Sequence, residues 1–229
     1  MKNVFKLILL PIVLASLAGC GPKGPAEPAF DGDLGFGTFP QSENGDSATI
    51  GWDIIYQPPG SRHDKEALVI SHYVLAPMAF DTNDGWNYKE SSIRAWLNGE
   101  FYNNAFTAEE KAKIMTTTVD NSAESTGDNS NQYVCANTND KIFLLSYLQV
   151  TNRFQTANDR RAKPTAYAVS QGIYPGHTFG YSMWWIRSAD PQQPGSPRRI
   201  NNSDGTIGRG NSNNSTMYGV RPAMWISLE

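Results

Sequence analysis

The stretch SMWWIRS, Ser182–Ser188, decides the fold class because it places two tryptophans and an isoleucine next to one another. Successive side chains of a β-strand point to opposite faces of the sheet, so Trp184 and Trp185 cannot share one face. Bulky apolar residues on both faces are typical of a strand that is covered on both sides. The stretch therefore predicts a buried strand inside a layered protein.

The chain ends in a second apolar stretch, YGVRPAMWISL, Tyr218–Leu228. Pro222 has no N–H to donate to a neighbouring strand, so it predicts an edge position or a bulge and hence a kinked terminal strand.

Each of these apolar stretches contains one arginine, Arg187 or Arg221. An unpaired buried charge costs several kcal/mol, so each guanidinium group must be paired or must point outward. We favour a structural role, in which each arginine donates to loop carbonyl oxygens or to a carboxylate, over a catalytic or ligand-binding role. The predicted scaffold residues are Trp184, Trp185, Arg187, Arg221 and Trp225.

A polar segment lies between the two apolar stretches, and five of the fourteen residues in Asn201–Asn214 are asparagine. Short polar side chains are typical of tight turns, and Asn202–Gly205 predicts a hairpin turn. The same side chains are typical of adaptable contact loops such as those of antibodies. The predicted ligand-binding residues are Asn201, Asn202, Ser203, Asp204, Arg209, Asn211, Ser212, Asn213, Asn214 and Tyr218.

The preceding part of the chain contains strands and helices in turn. Ile50, Trp52 and Ile54 alternate with other residues, which predicts a half-buried strand, and ALVISHYVL, 67–75, predicts its hairpin partner. The apolar spacing in SSIRAWLNGEFYNNAF predicts the main helix at 91–104, with Trp96 on its core face.

Two further elements follow the main helix. Thr107 and Glu110 match a capping box, which predicts a short second helix through Lys113 or Ile114. KIFLLS, 141–146, predicts a short apolar strand. Together the elements predict an α+β fold, with one domain over residues 31–229.

The N-terminal residues predict export and a lipid anchor. Lys2 and Lys6 precede an apolar stretch, Leu7–Leu17, which is too short to span a bilayer and is typical of a signal peptide. The ending LAGC resembles the bacterial lipobox, which implies a signal peptide over 1–19 and lipidation of Cys20. Residues 20–30 then form a lipidated N-terminus and a Pro/Gly spacer. We expect the mature protein in the bacterial cell envelope, at the outer membrane or the cell surface.

Composition and motifs argue against several chemistries. The formal charge of −3 and the lack of a Lys/Arg cluster give no attraction to nucleic acid. The three histidines match no metal-binding spacing, Asp81–Gly85 favours an Asx turn over a calcium loop, and no nucleophile motif is present. Once Cys20 is lipidated, Cys135 has no partner for a disulfide. We predict no cofactor, no metal and no identifiable catalytic residue.

Eight motifs occur in collinear order over Phe36–Leu228: GTFPQS, GWDII, ALVIS, SSIRAWLNGEFYNNAF, KIFLLSY, PTAYA, WWIRS and GVRPAMWISL. Together they resemble a widespread bacterial family of secreted and lipoprotein domains of unknown function. That family is similar to the C-type-lectin-like fold, in the subgroup of formylglycine-generating enzymes and the variable proteins of diversity-generating retroelements. The resemblance implies a small twisted antiparallel sheet, one or two helices and much irregular loop. The enzymes of the subgroup use a pair of cysteines. In this chain only Cys135 would remain available once Cys20 is lipidated.

Three functions stay open at this point. The leading hypothesis is a membrane-anchored lipoprotein whose C-terminal polar loop binds a protein or glycan, with retroelement diversification of that loop as one version. The alternative is an envelope enzyme that acts on peptide or glycan. The third is a structural part of the envelope with no ligand.

Overall fold

The computed structural model of the protein describes residues 32–59, 65–83, 85–177, 179–213 and 217–229. The signal peptide, Cys20, the spacer and Asn214 lie outside the described residues. None of the helices in the described residues has the length and apolar character needed to span a bilayer.

The first sheet is antiparallel and has the order β1-β2-β3-β11. Its strands are β1 (Leu34–Pro40), β2 (Ser47–Tyr56), β3 (Glu66–Ser71) and β11 (Ala223–Ser227). The predicted pairing of the second and third strands is confirmed, with Trp52 opposite Ser71. The strand predicted to continue to Leu75 ends at Ser71, because the chain then leaves this sheet to form a bridge between Val74 and Pro164.

The second sheet has the order β4-β10-β7-β8-β9, in which only β10 and β7 are parallel. Its strands are β4 (Ala76–Pro77), β7 (Met183–Ala189), β8 (Pro197–Ile200), β9 (Ile207–Arg209) and β10 (Tyr218–Val220). All seven residues of β7 are buried, so the prediction of a strand covered on both faces is confirmed. A small ribbon is formed by β5 (Thr117–Val119) and β6 (Thr138–Asp140).

The terminal strand changes sheets at its proline. β10 belongs to the second sheet and β11 to the first, and Pro222 lies between them. The predicted kink is therefore confirmed and is large enough to join the two sheets. The expectation of one small sheet was too simple, because residues from both sheets pack into one buried cluster.

The main helix occupies the predicted region, as α1 (Ser92–Trp96), a π-helical turn (Leu97–Phe101) and α2 (Tyr102–Ala105). It is followed by α3 (Ala108–Lys113), whose Thr107 and Glu110 form the predicted capping box. The remaining helices are α4 (Tyr147–Arg153) and α5 (Ala166–Ser170), with 3-10 turns at Tyr88–Glu90, Glu124–Thr126 and Asn158–Arg160. The structure thus mixes several antiparallel sheets with a few short helices.

The predicted strand at 141–146 is wrong. Ile142–Leu145 are buried but irregular, and only Phe143 forms an isolated bridge, to Ala223. The other main-chain groups bond to side chains and to β7: Asn98 Oδ1 accepts from Ile142 N at 3.2 Å, and Leu145 O accepts from Arg187 N at 2.9 Å. Because these scattered partners satisfy the buried backbone, the segment needs no continuous strand pairing.

Candidate functional site

The first half of the predicted binding segment is a hairpin whose polar side chains bond within the turn. Asn201 N donates to Thr206 O at 2.8 Å, and Asn201 Nδ2 donates to Thr206 Oγ1 at 2.7 Å. Asp204 Oδ1 accepts from Thr206 N at 3.0 Å, and the two Thr206 donors lower the pKa of that carboxyl group. The predicted turn at Asn202–Gly205 is therefore confirmed, and Ser203 at its tip is exposed.

The second half of the segment is more mixed. Arg209 Nε forms an ion pair with Asp190 Oδ1 at 3.2 Å. Asn211 and Asn213 are exposed. Ser212 and Tyr218, which we expected to be exposed, are only 4% and 6% accessible. Both are buried because this segment packs along the chain at 78–81, where Ser212 O accepts from Asp81 N at 3.1 Å and Tyr218 O accepts from Met78 N at 3.0 Å.

The predicted scaffold tryptophans differ in burial. Trp184 and Trp185 are fully buried. Trp185 Nε1 donates to Met78 O at 2.7 Å, and its ring centre lies 4.4 Å from that of Tyr218. Trp225 is half-buried rather than a buried anchor, because its side chain lies at the sheet surface against Tyr56.

Both predicted scaffold arginines are buried and bonded to main-chain carbonyls. Arg187 donates to Leu144 O at 2.6 Å and to Asp120 O at 2.9 Å. Arg221 donates to Ser71 O at 2.6 Å and to the Asp53 carboxylate at 2.9 Å. Burial lowers the pKa of each to about 10, so both remain charged near neutral pH. These contacts tie irregular segments to the sheets.

A cavity of about 600 Å³ lies elsewhere in the described residues, between β1, the main helix and α5. We call it the aromatic groove. Its lining combines aromatic rings with a few polar side chains, and the residues that carry the argument below are Phe39, Trp96, Glu100, Asn104, Tyr167 and Gln171.

The main helix supplies one wall of the aromatic groove. Trp96, Glu100 and Asn104 are spaced by four residues, so they follow one another along the same face of a helix. The π-helical turn at Leu97–Phe101 interrupts that face, and such turns are common at functional sites. Leu97 and Phe101 on the neighbouring face are fully buried, which holds the wall in place.

Phe39 and Tyr167 line the groove beside the helical wall. A bulge in β1 between Gly35 and Thr38 shifts the register of the strand just before Phe39. Tyr167 N donates to Gln41 O at 3.0 Å, which attaches α5 to the end of β1. The Phe39 ring lies edge-on to Trp96 at 6.1 Å and to Tyr167 at 5.8 Å. The three rings therefore form one preorganised surface.

The polar groups of the aromatic groove are available to a ligand. Glu100, Asn104 and Gln171 are exposed, and within the part of the chain that the structure describes none of their side chains forms a hydrogen bond. Glu100 offers acceptors, while the two amides offer both donors and acceptors. The groove can thus combine apolar contact with a small number of directed hydrogen bonds.

The groove is not predicted by the sequence patterns. Trp96, which we predicted on the core face of the helix, is half-buried and lines the cavity. A tryptophan followed by Glu100 and Asn104 at four-residue spacing was the available signal. Phe39 and Tyr167 could not be linked to it, because they lie far away in the sequence.

A protein-family model described as Domain of unknown function (DUF6273) matches residues 64–228. No curated protein and no solved structure shows significant similarity to the chain. The matched range contains the helical wall of the groove and Tyr167, whereas Phe39 precedes it.

Proposed function

The chain belongs to the family described as Domain of unknown function (DUF6273), and from its geometry we propose that it is a binding domain that holds an uncharged saccharide in the aromatic groove. The observation that carries the proposal is the combination of three half-buried rings with unbonded carboxylate and amide side chains in one cavity.

The rings match the apolar part of a saccharide. A pyranose ring presents C–H groups on its faces, and the negatively charged face of an aromatic ring attracts such groups. Three rings line the groove, and the centre of the Phe39 ring lies 6.1 Å from that of Trp96 and 5.8 Å from that of Tyr167. A ligand therefore meets a surface that needs little ordering on binding.

The polar groups match the hydroxyl rim of the same ligand. Sugar hydroxyls both donate and accept, as do the amides of Asn104 and Gln171. Among the described residues that line the groove, Glu100 is the only charged one, so the groove favours a neutral ligand over an anionic one. Its volume of about 600 Å³ lies within the range of small-molecule sites, roughly 300–1,000 Å³.

The proposal includes the cellular location expected from the sequence. Lipidation at Cys20 would anchor the protein in the bacterial cell envelope, where glycans are abundant. The resemblance to C-type-lectin-like domains supports the same class of ligand by analogy only.

The polar C-terminal segment is proposed as a secondary contact region. It runs beside Met78, which lines the groove, because Tyr218 O accepts from Met78 N at 3.0 Å. Exposed Asn211 and Asn213 could then extend the contact with a larger ligand. If this segment is diversified, the genome should carry a reverse transcriptase gene and a near-copy of the C-terminal coding segment.

A glycan array probed with the full-length protein tests the proposal. We expect binding to a defined set of neutral saccharides and its loss in Trp96→Ala. Trp86→Ala is the matched control, since Trp86 is also a half-buried tryptophan but lies outside the groove, against Tyr133. Equal binding by the two variants would place the site elsewhere. Release of shortened saccharides would instead support the envelope-enzyme alternative.

The anchoring part has its own test, palmitate labelling of the wild-type protein and of Cys20→Ala in a bacterial host. We expect label only on the wild type, in the membrane fraction. An unlabelled, soluble wild-type protein would contradict the anchor without affecting the groove.

A further inference from the structure

A second cavity, of about 330 Å³, has the opposite character to the aromatic groove because its lining is mostly charged. We call it the cationic cleft, and it is lined by Asp53, His72, Asp159, Arg161, Lys163 and Arg221 together with Tyr73, Ala162 and Tyr181. Its three permanent cations outnumber its two carboxylates.

The two carboxylates are already engaged. Asp53 lies 2.6 Å from His72 Nδ1 through one oxygen and accepts from Arg221 Nη2 at 2.9 Å through the other. Asp159 Oδ2 accepts from Thr156 N at 2.8 Å and from Thr156 Oγ1 at 2.9 Å. Among the described residues, neither carboxylate lies within ion-pair distance of Arg161 or Lys163.

Arg161 and Lys163 form no ion pair within the described ranges. The Arg161 guanidinium carbon lies over the Tyr181 ring, 4.4 Å from its centre, and Nε donates to Asn158 O at 3.4 Å. Its two terminal nitrogens form no hydrogen bond within the described residues, so their donors are free for an oxyanion. The exposed Lys163 side chain adds a second positive charge.

The backbone around these cations is firmly attached. Val74 N donates to Lys163 O at 2.9 Å, and Ser182 N donates to Ala162 O at 2.9 Å. Arg221 lies deeper, with Nη1 buried and without a hydrogen-bond partner among the described residues. The main chain that carries Arg161 and Lys163 is thus held in place by hydrogen bonds, and the unbonded Arg221 Nη1 lies beneath them.

We propose that the cationic cleft is an oxyanion-binding site, which takes a carboxylate or phosphate group of a ligand between Arg161 and Lys163. Charge-assisted hydrogen bonds to such groups are among the stronger polar contacts in proteins. The site is distinct from the aromatic groove, so it does not depend on the saccharide proposal.

Calorimetric titration of the full-length protein at low ionic strength tests the site, with inorganic phosphate in one series and glucuronate in another. We expect saturable binding of at least one probe, weakened at least about tenfold in the double variant Arg161→Gln/Lys163→Gln. Tighter binding of glucuronate would identify a carboxylate ligand, and tighter binding of phosphate would identify a phosphate ligand.

The matched control is Arg153→Gln/Lys113→Gln, which removes the same two charges outside the cleft. Arg153 also stacks on a ring, lying 3.5 Å from the Tyr56 centroid. The control should bind like the wild type. Equally weakened binding in both double variants would show that net charge alone causes the effect and would overturn the site. The site would also be overturned if neither probe binds. Neutral-saccharide binding should be unchanged in both, so failure of one proposal is visible without failure of the other.

Discussion

The aromatic groove and the polar C-terminal segment differ in how they use their polar side chains. In the segment, Asn201 and Asp204 bond to Thr206 within the same turn. In the groove, the side chains of Glu100 and Asn104 are exposed and form no hydrogen bonds within the described residues. The polar side chains of the segment therefore stabilise its turn. Those of the aromatic groove are left free to bind a ligand.

The largest effect on stability is expected at Trp185, which lies in β7 and contacts residues of both regions. Its Nε1 holds Met78 at the groove, and its ring packs against Tyr218 and Gly210 in the segment. Trp185→Ala should lower the free energy of unfolding by about 3–5 kcal/mol, as expected for a buried aromatic. Urea denaturation measures the change, and a loss below about 1 kcal/mol would show that the two regions do not share this support.

Gly205→Ala tests whether the first half of the segment is a structural turn. Gly205 has φ +70°, and a Cβ there would overlap the carbonyl oxygen of Ala157. Left-handed backbone costs a non-glycine residue about 1–3 kcal/mol, and the overlap should add to this.

Gly180→Ala is the matched control, because Gly180 also has φ +70° but has open space around its Cβ position. Thermal unfolding should show the larger loss of stability for Gly205→Ala. Equal losses would mean that the turn can move away from Ala157.

Trp96→Ala tests whether the aromatic groove contributes more to ligand binding than to stability. Central aromatic contacts in binding sites cost about 2 kcal/mol or more when truncated, so affinity for a saccharide found on the array should fall roughly 30-fold. Unfolding should change less than in Trp185→Ala, since Trp96 is only half-buried. Calorimetry and urea denaturation together check both expectations, and the prediction fails if stability falls while affinity does not.

The attachment of the segment at Asp190 should depend on pH. Burial alone would raise the pKa of Asp190, but the Gln192 N–H, Arg198 and Arg209 together outweigh burial, so the pKa lies below its usual value. A carboxyl group with a lowered pKa stabilises the folded state above its unfolded pKa, near 4, and this stability is lost as the pH falls through the folded pKa.

Comparing wild type with Asp190→Asn by thermal unfolding from pH 6 to pH 3 isolates this contribution. We expect a difference on the order of 1 kcal/mol at pH 6 that shrinks toward pH 3. A difference that is constant with pH would show that Asp190 acts only through packing.

The smallest effect on stability is expected from the exposed part of the segment. Replacing the exposed residues Arg209, Asn211 and Asn213 together by Ala should change the free energy of unfolding by less than about 1 kcal/mol, as for other exposed polar positions. A loss of unfolding free energy as large as that of Trp185→Ala would show that these side chains stabilise the turns of the segment.

Local sequence chemistry was sufficient for several elements. The capping box at Thr107–Glu110, the turn at Asn202–Gly205 and the kink at Pro222 all follow from residues close together in the chain. The helix at 92–105 and the double burial of β7 follow from the spacing of apolar residues. Such features are predictable because a few neighbouring side chains and backbone groups decide them.

The site and much of the core required tertiary structure. The irregular path of Ile142–Leu145 depends on partners such as Asn98 and Arg187, which lie far away in the sequence. The burial of Tyr218 depends on Trp185, and the groove depends on Phe39, Trp96 and Tyr167 from three distant segments.

The sequence by itself determined the main helix, the capped helix α3, the turn at Asn202–Gly205 and the buried strand β7, because periodicity and short-range hydrogen bonds decide these elements. Only the tertiary structure decided which half-buried rings face a cavity and which polar groups stay unbonded, because both depend on the packing of residues that the sequence keeps apart.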